Sequence, residues 1–154
     1  MNRITVLLAS SNLPRREALR AELKRTTDFL VVGEADNGLT ALELVRARRP
    51  RLLIIDAALP GMDGLSVLRT IGEREIEKPI TIMAAGYAGS HYRQAAHELG
   101  VELCLQHPIS EKLIIGHMRS LFRAASAVPT PTKIETRIGK TLSSTLKYYW
   151  FRGE

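Results

Sequence analysis

Residues 52–64 read Leu52-Leu53-Ile54-Ile55-Asp56-Ala57-Ala58-Leu59-Pro60-Gly61-Met62-Asp63-Gly64. The first four are apolar on both faces, which predicts a strand buried on both sides. Asp56 ends this strand, the most hydrophobic of the chain, and a helix is predicted from Gly64 to Arg74. A strand of that kind belongs to a parallel sheet, whose crossover connections lay helices over both faces.

Working outward, apolar runs and amphipathic segments alternate through the first 125 residues. Ile4 to Leu8, Phe29 to Val32, Ile80 to Met83 and Val101 to Leu105 read as the other strands. Pro14 to Lys24 reads as a helix with Pro14 in its first turn and Leu19 and Leu23 on one face. Asn37 is placed to cap the next helix, which carries Ala41, Leu44 and Val45 on one side and stops before Pro50. His91 to Leu99 is helical up to Gly100, a natural helix-ending residue. Ser110 can cap a last helix striped by Ile114, Met118, Leu121 and Phe122. The expected fold is therefore α/β: a doubly wound, five-stranded parallel sheet with helices on both faces. Such sheets bind ligands beyond the carboxyl ends of their strands, at the switch in winding direction. The residues that matter should lie at Ala9 to Asn12, Asp56 to Leu59, Ala84 to Gly86 and Gln106 to Pro108.

Composition narrows the class. At 154 residues, 45% hydrophobic and 25% charged, the chain is globular and of one-domain size. A single cysteine, Cys104, excludes an internal disulfide and any cysteine-cluster metal site. It lies in an apolar run, as an inert buried thiol does. No apolar stretch approaches the roughly 20 residues that span a bilayer, and a cytoplasmic location is expected. No Walker-type or dinucleotide glycine loop, and no nucleophile elbow, is present, so an enzyme is not expected. The four histidines lack metal-ligand spacing. Arg46, Arg48, Arg49 and Arg51 cluster at the end of a helical segment, where cations suit the helix dipole and where nucleic-acid contact is the alternative.

The run from Leu52 to Gly64 closely resembles the phosphoacceptor segment of response-regulator receiver domains. Val32-Gly33-Glu34-Ala35-Asp36-Asn37-Gly38 and Ala41-Leu42-Glu43-Leu44 look like the same family, and the resemblance spans roughly residues 3–125. It implies the flavodoxin-like receiver fold, with Asp56 as the residue that takes a phosphoryl group from a histidine kinase. Family members also carry an acidic pair that holds Mg²⁺, a Thr/Ser and a Lys that bind the phosphoryl oxygens, and an aromatic switch residue. In this chain those positions fall on Ser10 and Ser11, on Ala84, on His107, and on Cys104. All depart from the pattern; Asp56 alone is retained.

The departures bear on chemistry. Mg²⁺ prefers carboxylates to neutral hydroxyls. A dication and a carboxylate about 4 Å apart attract by roughly 8 kcal/mol at an effective dielectric near 20, so losing two carboxylates weakens metal binding severely. No cofactor is expected, and Mg²⁺ binding is expected to be weak or absent. Ala84 has no hydroxyl to donate, an unperturbed His107 imidazole is mostly uncharged at neutral pH, and Cys104 has no ring to swing inward. Two readings of Asp56 stand: a phosphoacceptor, or a structural carboxylate bonded to loop N–H groups or to the Ser10 and Ser11 hydroxyls. Losing the acidic neighbours removes the repulsion that would burden Asp56 without metal.

Residues 1–127 hold 17 Lys/Arg against 14 Asp/Glu, and residues 128–154 hold five against two. Four of the eight aromatics are consecutive, at Tyr148, Tyr149, Trp150 and Phe151. Residues 128–132 read as a Pro/Thr linker, and residues 133–154 as an amphipathic, basic and aromatic helix. Its apolar stripe is Ile134, Ile138, Leu142, Leu146 and Tyr149 or Trp150, with Lys133, Arg137, Lys140 and Lys147 opposite. The expected function is an atypical receiver that signals through a protein partner or a second copy. The surface implied by the family is the face of the fourth helix, fifth strand and fifth helix, with Tyr92, Ile114 and Met118 as contacts, joined by Ile138, Leu142, Leu146 and Trp150 of the tail. A histidine kinase is the partner in the phosphoacceptor alternative. An adaptor tethered to membrane or nucleic acid by its tail is the third.

Overall fold

The computed structural model describes residues 2–86, 89–126 and 151–152. β3 (Leu52–Asp56) lies inside a parallel sheet, flanked by β1 (Ile4–Ala9) and β4 (Ile80–Ala85). Beyond β1 lies β2 (Phe29–Ala35), and beyond β4 lies β5 (Leu103–Gln106). The winding reverses between β1 and β3, which brings the loops after those strands together. Alternation along β3 sorts the core into two layers: Leu53 and Ile55 pack on one side, Leu52 and Ile54 on the other. α2 (Gly38–Arg48) and α3 (Gly64–Glu73) cover the first face through Ala41, Val45, Val67 and Ile71. α1 (Leu13–Lys24) and α5 (Glu111–Ser126) cover the second through Leu19, Leu23, Ile114, Met118 and Phe122. α4 (Ser90–Glu98) adds Ala96 to the first layer.

The five-stranded doubly wound sheet with five helices is the fold expected. The fifth strand starts two residues later than the apolar run suggested, at Leu103. The Pro/Thr linker and nearly all of the expected C-terminal helix lie outside the described residues. At Phe151–Arg152 the chain forms a short strand, β6, paired parallel to β5 with Leu105 opposite Phe151 and Gln106 opposite Arg152. There the expectation of helix is corrected: a run of aromatic residues suits extended pairing at an open sheet edge as well as a helical stripe. None of the described helices is long and apolar enough to cross a membrane.

Short polar side chains start the helices. Asn12, Asn37 and Asp63 accept hydrogen bonds from the backbone N–H groups of Arg15 (3.0 Å), Thr40 (2.9 Å) and Ser66 (2.9 Å). Ser110 Oγ accepts from Leu113 N–H at 3.2 Å. All four caps lie just past the carboxyl ends of strands, so they shape the rim around Asp56. The rim is tight where the loop after β2 meets the loop after β3: Gly38 N–H donates to the Pro60 carbonyl at 3.1 Å. A Cβ on Gly38 would sit 1.8 Å from the Met62 carbonyl oxygen, which is backbone and cannot swing away. Gly38→Ala is expected to cost about 1–3 kcal/mol, read as a lower urea midpoint with an unchanged slope.

At the opposite end, Arg119 of α5 grips Asp28 ahead of β2 with both a 2.8 Å and a 3.2 Å hydrogen bond. The Arg119 hydrogen bond holds the Asp28 carboxyl below its usual 3.8. A carboxylate depressed on folding stabilises above its unfolded pKa and loses that contribution as the pH falls through the folded value. Arg119→Ala should therefore lower the urea midpoint at pH 7, and the gap from the parent should narrow as the pH is taken below 3.8. Both groups are substantially exposed, so the gap is small even at neutral pH.

Candidate functional site

Asp56 is placed by its strand. It pairs in register with Ala84 of β4, and the Ala57 N–H donates to the Ala84 carbonyl at 2.8 Å. Ala9, at the end of β1, pairs with Ile55, which sets Ser10 beside the Asp56 side chain. Of the described residues, Ser10, Arg15 and His107 bring polar side-chain atoms to the carboxylate, whose own exposure is only 13%. Ser10 Oγ–H donates to Asp56 Oδ2 at 2.5 Å. The Arg15 guanidinium lies 3.7 Å from the same oxygen, and His107 Nε2 lies 3.7 Å from Oδ1. A small cavity of about 60 Å³ opens beside the site, bounded by Asp56, Ser10, Arg15, Ala84 and His107.

Each expected pocket position can now be located. Ser10 is at the carboxylate, whereas Ser11 is exposed on the rim and makes no hydrogen bond to Asp56. Ala84 adjoins Asp56 with no hydroxyl to offer. His107 reaches the site from the loop after β5, through a cis peptide to Pro108. Its Nε2 is buried and makes no hydrogen bond, and it lies 3.7 Å from the carboxylate. Cys104 pairs with Met83 in the sheet and is partly buried; burial lifts its thiol to about 11, which keeps it protonated and inert. No His/Cys/Asp/Glu cluster able to hold a metal occurs among the described residues.

Two residues were missed by sequence reasoning. Arg15 follows Pro14 in the first turn of α1, and the cap from Asn12 aims that turn at Asp56. Arg16 donates to the Ser10 carbonyl at 2.5 Å and to Glu34 Oε1 at 3.2 Å, so it pins the loop that presents the Ser10 hydroxyl. The signal was the Pro14-Arg15-Arg16 run just beyond the first strand, which was read only as a helix start.

The expected contact residues divide. Ile114 and Met118 are corrected: both are core, at 8% and 0% exposure, because the apolar stripe of α5 is the face it turns to the sheet. Tyr92 is half-buried against the other core layer, with its hydroxyl 3.3 Å from the Met83 sulfur. Burial raises the Tyr92 phenol to about 12, with Asp63 and Cys104 adding to the shift. This aromatic ring from α4 lies in the layer that also contains the ringless Cys104. Ile138, Leu142, Leu146 and Trp150 fall outside the described residues.

Without the Ser10 hydroxyl, a mostly buried carboxylate loses its one close donor. Ser10→Ala is expected to cost roughly 1–3 kcal/mol, more than Arg15→Ala, whose longer and half-exposed pair is worth at most about 1 kcal/mol. Urea denaturation at neutral pH measures both.

Mg²⁺, which the receiver family implies here, does not fit this donor set. Two neutral serines replace carboxylates, and one acidic oxygen of Asp56 is already taken by Ser10 Oγ–H beside a guanidinium. The wider comparisons agree on the fold. The chain is 23% identical to the signal receiver domain of the response regulator NarL from Mycobacterium tuberculosis, covering 83% of this chain and 100% of that one, with a TM-score of 0.72. It is 21% identical to the response regulator domain of Thermotoga maritima CheB, covering 83% and 99%, with a TM-score of 0.70. The receiver domain of AraT, a response regulator from Geobacillus stearothermophilus, is 27% identical, covering 81% and 97%, with a TM-score of 0.68. The family described as "Response regulator receiver domain" matches residues 6–119. With Asp56 at the end of β3 and the winding switch beside it, the chain belongs to the response-regulator receiver family of two-component signalling.

Proposed function

We propose that this receiver is atypical: it works in signal transduction by protein–protein contact, without conventional Mg²⁺-dependent phosphorylation and without enzymatic activity or a cofactor of its own. One observation carries the reading. The Asp56 carboxylate is satisfied internally, by the Ser10 hydroxyl with Arg15 and His107 close by, where phosphoryl transfer would need a metal and donors to a phosphoryl group. Arg15 supplies the positive charge that an isolated carboxylate requires at this depth. The resting arrangement needs no metal and leaves no carboxylate pair to repel itself.

The partner is a protein or a second copy, met in the cytoplasm on the face of α4, β5 and α5. β6 already pairs along the β5 edge at Leu105 and Gln106, so the partner meets exposed Leu113 and half-buried Tyr92 beside it, not the buried Ile114 and Met118. The phosphoacceptor reading keeps one structural support: a cavity of about 60 Å³ lies beside Asp56.

Incubation of the full chain with a small acyl phosphate and Mg²⁺, followed by intact-mass measurement, separates these readings. No more than trace phosphoryl addition is expected, with Asp56→Asn behaving like the parent. Near-complete addition that Asp56→Asn abolishes would establish a phosphoacceptor and overturn the proposal.

A further inference from the structure

We infer that one corner of the domain at the end opposite Asp56, where β1, β2 and β3 begin, is a binding surface for the phosphate backbone of double-stranded nucleic acid. α1, α2 and α5 finish there. The fold thereby gathers cations that are far apart in sequence. Arg3 precedes β1, Arg46, Arg48 and Arg49 close α2, Arg51 precedes β3, and Arg123 lies near the end of α5; all six are exposed. Lys24, Arg25 and Arg119 complete the set.

Hydrogen bonds join these segments into one surface. Ile4 N–H donates to the Asp28 carbonyl at 2.8 Å, and Arg51 N–H to the Thr5 carbonyl at 3.1 Å. Arg119 holds Asp28, and the Arg51 guanidinium lies 5.2 Å from the centre of the Phe122 ring. Glu22 and Asp28 are the only carboxylates in these same segments, and they pair with Arg25 and Arg119. Nine of the 17 Lys/Arg of residues 1–127 thus meet two of the 14 Asp/Glu at this corner, while Glu73, Glu75, Glu77, Glu98 and Glu102 lie across the same end, where α3 and α4 finish and β4 and β5 begin. The corner is locally positive, which draws polyanions to it.

Helix-dipole stabilisation accounts for Arg46 and Arg48, in the last turn of α2. It does not account for Arg3 and Arg51, which precede strands. Nor does it explain Arg49, whose φ of 45° occupies the left-handed helix-ending position that glycine takes without strain. A cation is kept there against the backbone's preference.

The chemistry selects the ligand. Eight of the nine cations are arginine, whose planar fork matches phosphate oxygens in pairs. Among the described residues, both aromatics at this end, Phe29 and Phe122, are buried, so neither offers a ring to stack on single-strand bases. Insertion into a bilayer needs exposed apolar side chains. Leu13, Leu39 and Leu113 are exposed at the other end, in the first turns of their helices, and Leu30, the second residue of β2, is a single exposed leucine near this end, too little for insertion. What remains is contact with the regularly spaced phosphates of a duplex, independent of sequence.

Fluorescence anisotropy of the full chain with two unrelated labelled DNA duplexes tests this. Similar affinity for both is expected, weakening on the order of 100-fold between about 50 and about 200 mM salt. Arg3→Gln, Arg48→Gln and Arg123→Gln combined should weaken binding at low salt by roughly 10-fold or more and flatten the salt slope by about 2 to 3. A tail variant, Lys133→Gln with Arg137→Gln and Lys140→Gln, should lose less. Absence of duplex binding, a larger loss in the tail variant, or binding to phosphatidylglycerol vesicles as tight as to duplex would each overturn the inference. Unfolding curves check the combined variant; if it is unstable, Lys24→Gln with Arg46→Gln takes its place under the same criteria.

Discussion

A carboxylate that is 13% exposed at the end of a buried strand has to be met by donors, and the rest of the site follows from how that is done here. Ser10 supplies a hydroxyl at 2.5 Å, and Arg15 supplies charge at 3.7 Å. Neither could do so without the loop between β1 and α1 in its observed shape. Arg16 holds the Ser10 carbonyl, Asn12 caps α1, and Pro14 occupies the first turn that carries Arg15. One short segment therefore converts a metal-site geometry into an internally neutralised one. Serine in place of carboxylate offers Mg²⁺ a poorer donor and offers Asp56 a hydroxyl donor, so both features have one cause.

The side of the pocket toward β5 has changed in a parallel way. Ala84 and Cys104 give the sheet small, non-donating side chains where signalling receivers place a hydroxyl and a ring. Tyr92 instead brings a ring from α4, anchored on Met83 and with its phenol held protonated by burial. This half-buried ring packs against the core from the α4 side.

Charge is sorted across the end of the sheet opposite Asp56: arginines crowd the corner where β1, β2 and β3 begin, and carboxylates gather where β4 and β5 begin. Because the helices run back from the carboxyl edge, the C-terminal cations of α1, α2 and α5 converge on the same corner as the residues that precede those strands. The proposed protein-contact face and the proposed polyanion corner draw on different residues.

The apolar run Leu52–Ile55 with its terminal Asp56 was enough to reveal a buried parallel strand, and the alternation around it revealed the doubly wound sheet. Periodicity carries this information because burial on one or both faces is a local pattern. Asn37 and Ser110 were also legible as caps, since capping is written within four residues. The loss of acidic pair, hydroxyl and lysine could be read position by position once the family was recognised. The side that each apolar stripe faces could not: Ile114 and Met118 looked like a contact surface and are core, because periodicity marks an apolar face without saying what covers it. Arg15 was hidden for a related reason. Its partner is 41 positions away in sequence, and only the winding switch between β1 and β3 brings the first turn of α1 against Asp56. The basic corner was legible only in part: the Arg46, Arg48, Arg49 and Arg51 cluster stands out in the sequence, whereas Arg3 and Arg123 are unremarkable where they stand, and the parallel sheet with its returning helices makes them its neighbours.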